Sequence, residues 1–251
     1  MHILLTNDDG WRSEGMKALI RALKGAGHRV TIAAPDRERS AASHAISITQ
    51  PLRAYAVEVE GAIGWAIDGT PADCARLGLY LTRDDRPDLC ISGINRGGNL
   101  GGACIYSGTV NAAMEASMAG CPSIASSLNS FVSEDYALAA KITLQVMRYA
   151  KEHPLGRGEI YNLNVPPLES VKGVFFTQTL GPDFLTEANY QEFTSNYRVK
   201  YYLLDDGENP VPYPSDSDSV KCREGWATLS VLSWDIAPKK GLNANNGGIT
   251  L

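Results

Sequence analysis

Short apolar segments alternate with amphipathic ones along the first two-thirds of the chain. Residues 3–5 predict a buried strand, and residues 13–26 have apolar side chains at the spacing of one helix face. Further strands are predicted at residues 30–34, 89–93, 123–125 and 161–165. Further helices are predicted at residues 110–118 and 135–151, with a helix start at 70–73. This alternation predicts an α/β fold, a mostly parallel sheet with helices on both faces.

The pattern changes beyond Pro167. Residues 174–179 and 197–203 predict long strands with no helix between them, which favours an exposed β-hairpin. Residues 209–219, rich in proline, serine and aspartate, predict a loop, and residues 227–234 a final strand. The second part of the chain is therefore expected to elaborate the first with a hairpin and a tail.

The chain has no internal repeat and no low-complexity linker. We therefore expect a single domain over residues 1–251, with a catalytic core at 1–167 and an oligomerisation elaboration at 168–251. In a monomer the apolar and aromatic strands of the second part would present unpaired edges. A symmetric partner would bury them, which predicts at least a homodimer.

Composition and charge narrow the class of partner. Of the 251 residues, 44% are hydrophobic and 20% are charged, as in ordinary globular proteins. The formal net charge of −5 argues against a nucleic-acid polymer as partner. No apolar stretch reaches the length of a membrane span, and the N-terminus has no signal pattern. The five scattered cysteines, without a C-x-x-C pair, indicate buried thiols and a cytoplasmic location.

Polar side chains that could bind a metal ion follow the ends of the predicted strands. Asp8 and Asp9 follow the first strand, Ser40 lies beyond the second, and Asn95 follows the strand at 89–93. The carboxyl ends of parallel strands meet at one edge, so these segments should converge. Two carboxylates with neutral hydroxyl and amide oxygens suit Mg²⁺ or Mn²⁺ and do not suit zinc or copper. A solvated turn at residues 7–10 is the alternative interpretation.

Two further segments favour anion binding. Residues 92–102 are rich in glycine, and their N–H groups either surround phosphate oxygens or only permit tight turns. The segment matches neither a Walker motif nor a dinucleotide-binding fingerprint. Ser107, Gly108 and Thr109 at a helix start favour an anion site. The alternative is that Ser107 or Thr109 only caps the helix, and the two roles are compatible. His44 is a candidate pocket residue, whereas the other histidines lack ligand spacing.

Five motifs together resemble those of the SurE family, the stationary-phase survival nucleotidases. They have the family's order and spacing, and they lie at residues 7–10, 34–40, 69–74, 92–97 and 106–110. Ser217-Asp218 and Gly225-Trp226 stand where the family has Thr-Asp and Gly-Tyr. The resemblance implies a Rossmann-like core, a C-terminal part that builds a homodimer or homotetramer, and a phosphatase acting on nucleoside monophosphates. It also implies one divalent ion per subunit, held by Asp8, Asp9, Ser40 and Asn95.

The expected reaction is hydrolysis of nucleoside 5′-monophosphates, with 3′-monophosphates and short polyphosphate as further candidate substrates. The candidate catalytic residues are Asp8, Asn95 and Ser107. The candidate phosphate-binding residues are Asn95, Arg96, Gly97, Ser107, Gly108 and Thr109. We favour a metal-activated water as nucleophile, and attack by Asp8 to form an aspartyl-phosphate is the alternative.

Three other classes of protein compete with this interpretation. A receiver domain requires an aspartate after its third strand, where the comparable loops offer Ser40 or Asn95. Phosphatases of the haloacid-dehalogenase type have two aspartates separated by one residue, whereas Asp8 and Asp9 are adjacent. A non-catalytic nucleotide-binding module stays open as the alternative to an enzyme.

Overall fold

The structure is a computed structural model that describes residues 1–181, 189–194, 199–205 and 213–235. The strands are β1 (His2–Thr6), β2 (Arg29–Pro35), β3 (Ala54–Val59), β4 (Ala62–Ile67), β5 (Leu89–Arg96), β6 (Ser123–Leu128), β7 (Glu159–Val165), β8 (Val174–Phe176), β9 (Asn189–Thr194), β10 (Lys200–Asp205) and β11 (Ala227–Ser233). The α-helices are α1 (Glu14–Gly25), α2 (Pro71–Leu81), α3 (Ala103–Tyr106), α4 (Gly108–Met118), α5 (Ala137–Glu152) and α6 (Asp218–Arg223). A 3₁₀ turn at Arg83–Asp85 follows α2.

The main sheet has nine strands in the order β3-β4-β2-β1-β5-β6-β7-β11-β8. Its neighbours run parallel except for the pairs β3–β4 and β7–β11. A second sheet of two strands pairs β9 with β10 antiparallel. The predicted class, a mostly parallel α/β sheet with a C-terminal hairpin, is confirmed.

The apolar run of β1 explains why helices cover both faces of the sheet. Ile3 and Leu5 belong to a core cluster that includes residues of α1 and α5. Leu4, between them, belongs to a cluster with residues of α2 and α4. Successive side chains of a strand point to opposite faces, so a run that is apolar at every position requires two apolar layers. Packing on both faces holds β1 in place and so positions the loop that follows it.

The start of α2 is the capping structure that the sequence predicts. The Thr70 hydroxyl accepts a hydrogen bond from the Asp73 N–H at 3.1 Å, and the Asp73 carboxylate accepts one from the Thr70 N–H at 3.0 Å. Pro71 occupies the first helical turn, where its missing N–H costs no hydrogen bond. Such a box satisfies two N–H groups that the helix itself leaves unpaired.

Three predictions for the second part of the chain were wrong in detail. The strand predicted at 174–179 is only Val174–Phe176, and it pairs with β11 in the main sheet. The hairpin instead joins β9 to β10, and residues 197 and 198 of the predicted strand lie outside the described residues. The loop predicted at 209–219 ends earlier, because Ser217 caps α6 and Asp218 begins it; residues 209–212 are not described. Local apolar patterns do not encode which distant strand is the partner.

All five cysteines are free and buried, as predicted. Among the described residues, no helix combines the length and the apolar character needed to cross a membrane.

Candidate functional site

The loop after β1 is shaped by Asn7. Its side-chain amide donates to the Gly10 carbonyl at 2.9 Å and to the Ser13 hydroxyl at 2.8 Å, and its oxygen accepts from the Gly10 N–H at 3.1 Å. Ser13 in turn caps α1. Gly10 has a φ of +93°, which residues with a side chain rarely adopt. Asn7 therefore fixes the turn, and the two residues after it present adjacent carboxylates at the sheet edge.

Asp8 and Asp9 lie in surroundings that disfavour their negative charges. Asp8 is 5% exposed, and burial raises its pKa. Burial, and after it the charge of Asp8, raises the pKa of Asp9 to about 7. Hydrogen bonds to the pair come from the Thr109 hydroxyl, 2.5 Å from Asp8 Oδ1, and from the Arg96 N–H, 3.1 Å from Asp9 Oδ2.

No ion pair between described residues includes either carboxylate. A bound cation would relieve both the burial cost and the repulsion between them. Carboxylate oxygens are the ligands that hard divalent cations prefer, so the donor set fits Mg²⁺ or Mn²⁺.

The two predicted neutral ligands differ in their placement. Asn95, near the end of β5, donates from its amide nitrogen to the Gly97 carbonyl at 2.8 Å, which leaves its side-chain oxygen as the acceptor. Ser40 is exposed, and its hydroxyl donates to Glu38 at 2.7 Å. The charge of Glu38 contributes to the raised pKa values of both Asp8 and Asp9, so this segment also brings a third acid near the pair. Sequence reasoning did not single out Glu38.

Within the described part of the chain, no group of three or more His, Cys, Asp or Glu side chains is arranged to hold a metal ion. The predicted set has two such residues, Asp8 and Asp9, with Ser40 and Asn95 as its neutral members.

The start of α4 lies directly against Asp8. A Cβ added to Gly108 would be 2.8 Å from Asp8 Cβ, so only glycine allows this approach. The Ser107 hydroxyl accepts a hydrogen bond from the Val110 N–H at 3.1 Å. Ser107 therefore caps the helix, which was one of the two roles that the sequence indicated. Thr109 is fully buried, and its hydroxyl is the one that donates to Asp8. The sheet edge and the N-terminus of α4 are thus brought together.

Side chains from later in the sequence hold the glycine-rich segment in place. The N–H of Asn99 donates to Asn164 Oδ1 at 2.7 Å, and the N–H of Gly101 donates to Asp218 at 2.8 Å. Asp218 is 1% exposed and also accepts from the Gly181 N–H at 2.7 Å. Several of the N–H groups expected to surround phosphate therefore have protein partners.

His44 does not join the acidic pair. Its Nε2 lies 2.9 Å from Glu115 Oε2, and Arg76 contacts the other oxygen of Glu115 at 2.7 Å. The Trp234 ring packs edge-on, with centroids 5.3 Å apart. These contacts attach the loop after β2 to the middle of α4.

The loop after β6 reaches the same sheet edge and was missed by sequence reasoning. Phe131 lies against Gly97, because a Cβ added to Gly97 would approach its ring to 2.5 Å. Tyr136 lines a cavity of about 190 Å³ together with Asp9 and Arg96. A position after a buried strand was the signal that would have found this loop.

A much larger cavity, of about 960 Å³, lies at the other end of the strands, where β1 and β2 begin. His2, Thr31 and Trp65 are among its lining residues, and none of the predicted site residues lines it. Pocket size therefore does not mark the site that the polar residues define.

The fold and this site define a doubly wound α/β protein with an acidic centre at the carboxyl ends of its strands. A family model described as "Survival protein SurE" matches residues 3–184. The chain belongs to the SurE family, as the five motifs indicated.

Relatives and a solved structure extend the likeness to nearly the whole chain. A protein of Carboxydothermus hydrogenoformans named 5′-nucleotidase SurE is 46% identical over 250 residues, covering 97% of this chain and 94% of its own. Its namesake in Gloeobacter violaceus is 40% identical over 251 residues, covering 96% and 93%. The crystal structure of the SurE protein from Aquifex aeolicus matches with a TM-score of 0.83 and 31% identity, covering 96% of this chain and 97% of that one.

Proposed function

We propose that this protein is a metal-dependent 5′-nucleotidase, which hydrolyses nucleoside 5′-monophosphates to nucleoside and phosphate. The observation that carries the proposal is the pair formed by the buried Asp8 and the half-buried Asp9 beside the N-terminus of α4. That the relatives are named 5′-nucleotidase SurE supports the choice of substrate.

Asp8, Asp9 and Asn95 would hold one Mg²⁺ or Mn²⁺ per subunit. Ser40 would complete the set when its hydroxyl turns away from Glu38. The raised pKa values of the two carboxylates support this assignment, because burial disfavours both negative charges and a bound cation would offset that cost. When bound, such an ion supplies a Lewis acid that stabilises negative charge on phosphoryl oxygens.

The chain's own groups position the phosphate. Gly108 and Thr109 belong to the first turn of α4, where N–H groups without a partner inside the helix and the helix dipole favour an anion. Asn95 and Ser107 add polar side chains, and Arg96 and Gly97 border the same edge. Phosphoryl transfer depends mainly on positioning and charge stabilisation, which these groups supply.

Asp8 is suited to holding an ion more than to attacking phosphorus. Its Oδ1 accepts the Thr109 hydroxyl in a buried setting, which limits how the carboxylate can turn. This contact supports water as the nucleophile over an aspartyl-phosphate.

Further substrates, compartment and assembly form part of the proposal. The residues assigned above would contact the phosphate and not the nucleoside, so nucleoside 3′-monophosphates and short polyphosphate are proposed as additional substrates. The five free cysteines support a reducing, cytoplasmic compartment. We also propose a homodimer or homotetramer built by the part of the chain after residue 167.

A panel of phosphate esters tests the proposal. With Mg²⁺ or Mn²⁺ present, phosphate should be released fastest from nucleoside 5′-monophosphates and more slowly from 3′-monophosphates and short polyphosphate. Nucleotide binding without phosphate release under every metal condition would contradict the proposal and support a non-catalytic binding module.

A further inference from the structure

The cavity beside Asp9 extends the site beyond the residues assigned to metal and phosphate. It measures about 190 Å³, and Arg96, Glu134 and Tyr136 are among its other lining residues. Pockets that enclose a whole ligand of drug size measure roughly 300–1,000 Å³. A cavity of this size therefore accommodates a sugar and leaves a larger attached group at its mouth.

Tyr136 presents a polar group to this cavity. The residue is 5% exposed, and it lines the cavity together with Asp9 and Arg96. Its hydroxyl is not among the buried polar atoms that lack a partner, so it opens onto the cavity. A phenolic hydroxyl both donates and accepts hydrogen bonds, so it suits a ligand hydroxyl group that enters the cavity.

Phe131 supplies the complementary apolar surface. Its side chain is 75% exposed although it is a large hydrophobe, and it lies against Gly97, next in sequence to Arg96 of the cavity wall. An exposed aromatic ring is the surface on which a nucleobase stacks, and such stacking tolerates any base because every base has a π-face.

We infer that the loop between β6 and α5 binds the nucleoside: the Phe131 ring stacks on the base, and the Tyr136 hydroxyl hydrogen-bonds to the ribose. The inference rests on the proposed function and deepens it, because it identifies the residues that favour nucleotides over simple phosphate esters. Base contact through stacking also makes the enzyme broad among purines and pyrimidines.

The test compares AMP with ribose 5-phosphate, which has the sugar and phosphate but no base. Phe131→Ala should raise KM for AMP about 10-fold and leave KM for ribose 5-phosphate unchanged. Phe131→Tyr should restore the wild-type KM for AMP. Tyr136→Phe should raise KM for both esters several-fold, and it should leave KM for phenyl phosphate, which has no sugar, unchanged.

Tyr80→Ala is the matched control, because Tyr80 is 60% exposed on α2 and does not line this cavity. It should leave every KM unchanged. If the wild type releases phosphate from AMP and Phe131→Ala alters neither ester or both equally, the inference is overturned while the proposed function stands. If the wild type releases phosphate from no ester, the proposed function is overturned and this inference with it.

Discussion

Asp9 lies between the buried carboxylate of Asp8 and the N–H of Arg96, and its pKa is raised to about 7. The ordinary value of 3.8 applies to the unfolded chain. Between these two values the folded state holds a proton that the unfolded chain has lost. The free energy of unfolding of the metal-free protein therefore falls as pH rises through that window.

A bound cation competes with this proton, which gives a pH dependence of metal affinity. Calorimetric titration with Mn²⁺ should show affinity rising from about pH 5 to about pH 7 and levelling off above it. In Asp9→Asn the rise of Mn²⁺ affinity with pH should be smaller, and the affinity should be lower than that of the wild type at every pH. An affinity of the wild type that is independent of pH over this range would contradict the raised pKa.

Thr109 and Ser107 can be separated by substitution. Thr109→Val removes the hydroxyl that donates to Asp8, so it should weaken Mn²⁺ binding and raise the inhibition constant for inorganic phosphate. Ser107→Ala removes the cap of α4 and should lower the free energy of unfolding by about 1 kcal/mol. Metal titration, product inhibition and denaturant unfolding of both variants check this division. Wild-type Mn²⁺ and phosphate binding in Thr109→Val would contradict it.

The sequence predicted the positions of the candidate site residues in the fold where local rules suffice. Asp8, Asn95 and Ser107 are found at strand ends or a helix start, which apolar patterns and capping residues mark in advance. The Ser40 hydroxyl contacts Glu38, and Tyr136 lines the same cavity as Asp9, but these contacts depend on the folded chain. No local pattern specifies them.

Asp218, the first residue of α6, connects this helix to two segments that are distant from it in sequence. Its carboxylate accepts hydrogen bonds from the N–H groups of Gly101 in the glycine-rich segment, of Gly181, and of Ser219 in α6. Asp218→Asn replaces one acceptor oxygen with a donor facing an N–H group. We expect the free energy of unfolding to fall by about 2–3 kcal/mol.

Denaturant unfolding measures this loss. Asp216→Asn is the control, since Asp216 is exposed and its carboxylate accepts only from the Thr179 hydroxyl among the described residues; its change should stay within about 0.5 kcal/mol. Equal stability of the two variants would show that Asp218 does not hold the loop.

The start of a helix was predictable from the sequence where the residues of the helix itself determine it, whereas the pairing of strands was not. Thr70 and Asp73 mark the start of α2 in the sequence, and the structure has the capping box there. The antiparallel pair β3–β4 at one sheet edge was not predicted, and β8 was placed in the hairpin although it pairs with β11. Strand pairing is decided by contacts across the sheet, which the local pattern does not contain.

At the scale of the whole molecule, the hairpin formed by β9 and β10 carries an unusual exposed surface. Large side chains that are more than half exposed lie on it, namely Tyr190, Phe193, Tyr201, Tyr202 and Leu203. A two-stranded hairpin is marginally stable in water, so a covering partner would stabilise it. We predict that light scattering of the full chain gives at least twice the single-chain mass of 27.0 kDa. A mass equal to the single-chain value would contradict this prediction.

The most direct test of the account is phosphate release from AMP by metal-stripped protein as Mn²⁺ is added back. The wild type should be inactive after chelation and should recover with added Mn²⁺, whereas Asp9→Asn should stay about 100-fold slower at every Mn²⁺ concentration. Full turnover by the metal-stripped wild type, or wild-type turnover by Asp9→Asn, would contradict the central claim that the carboxylate pair holds a catalytic ion.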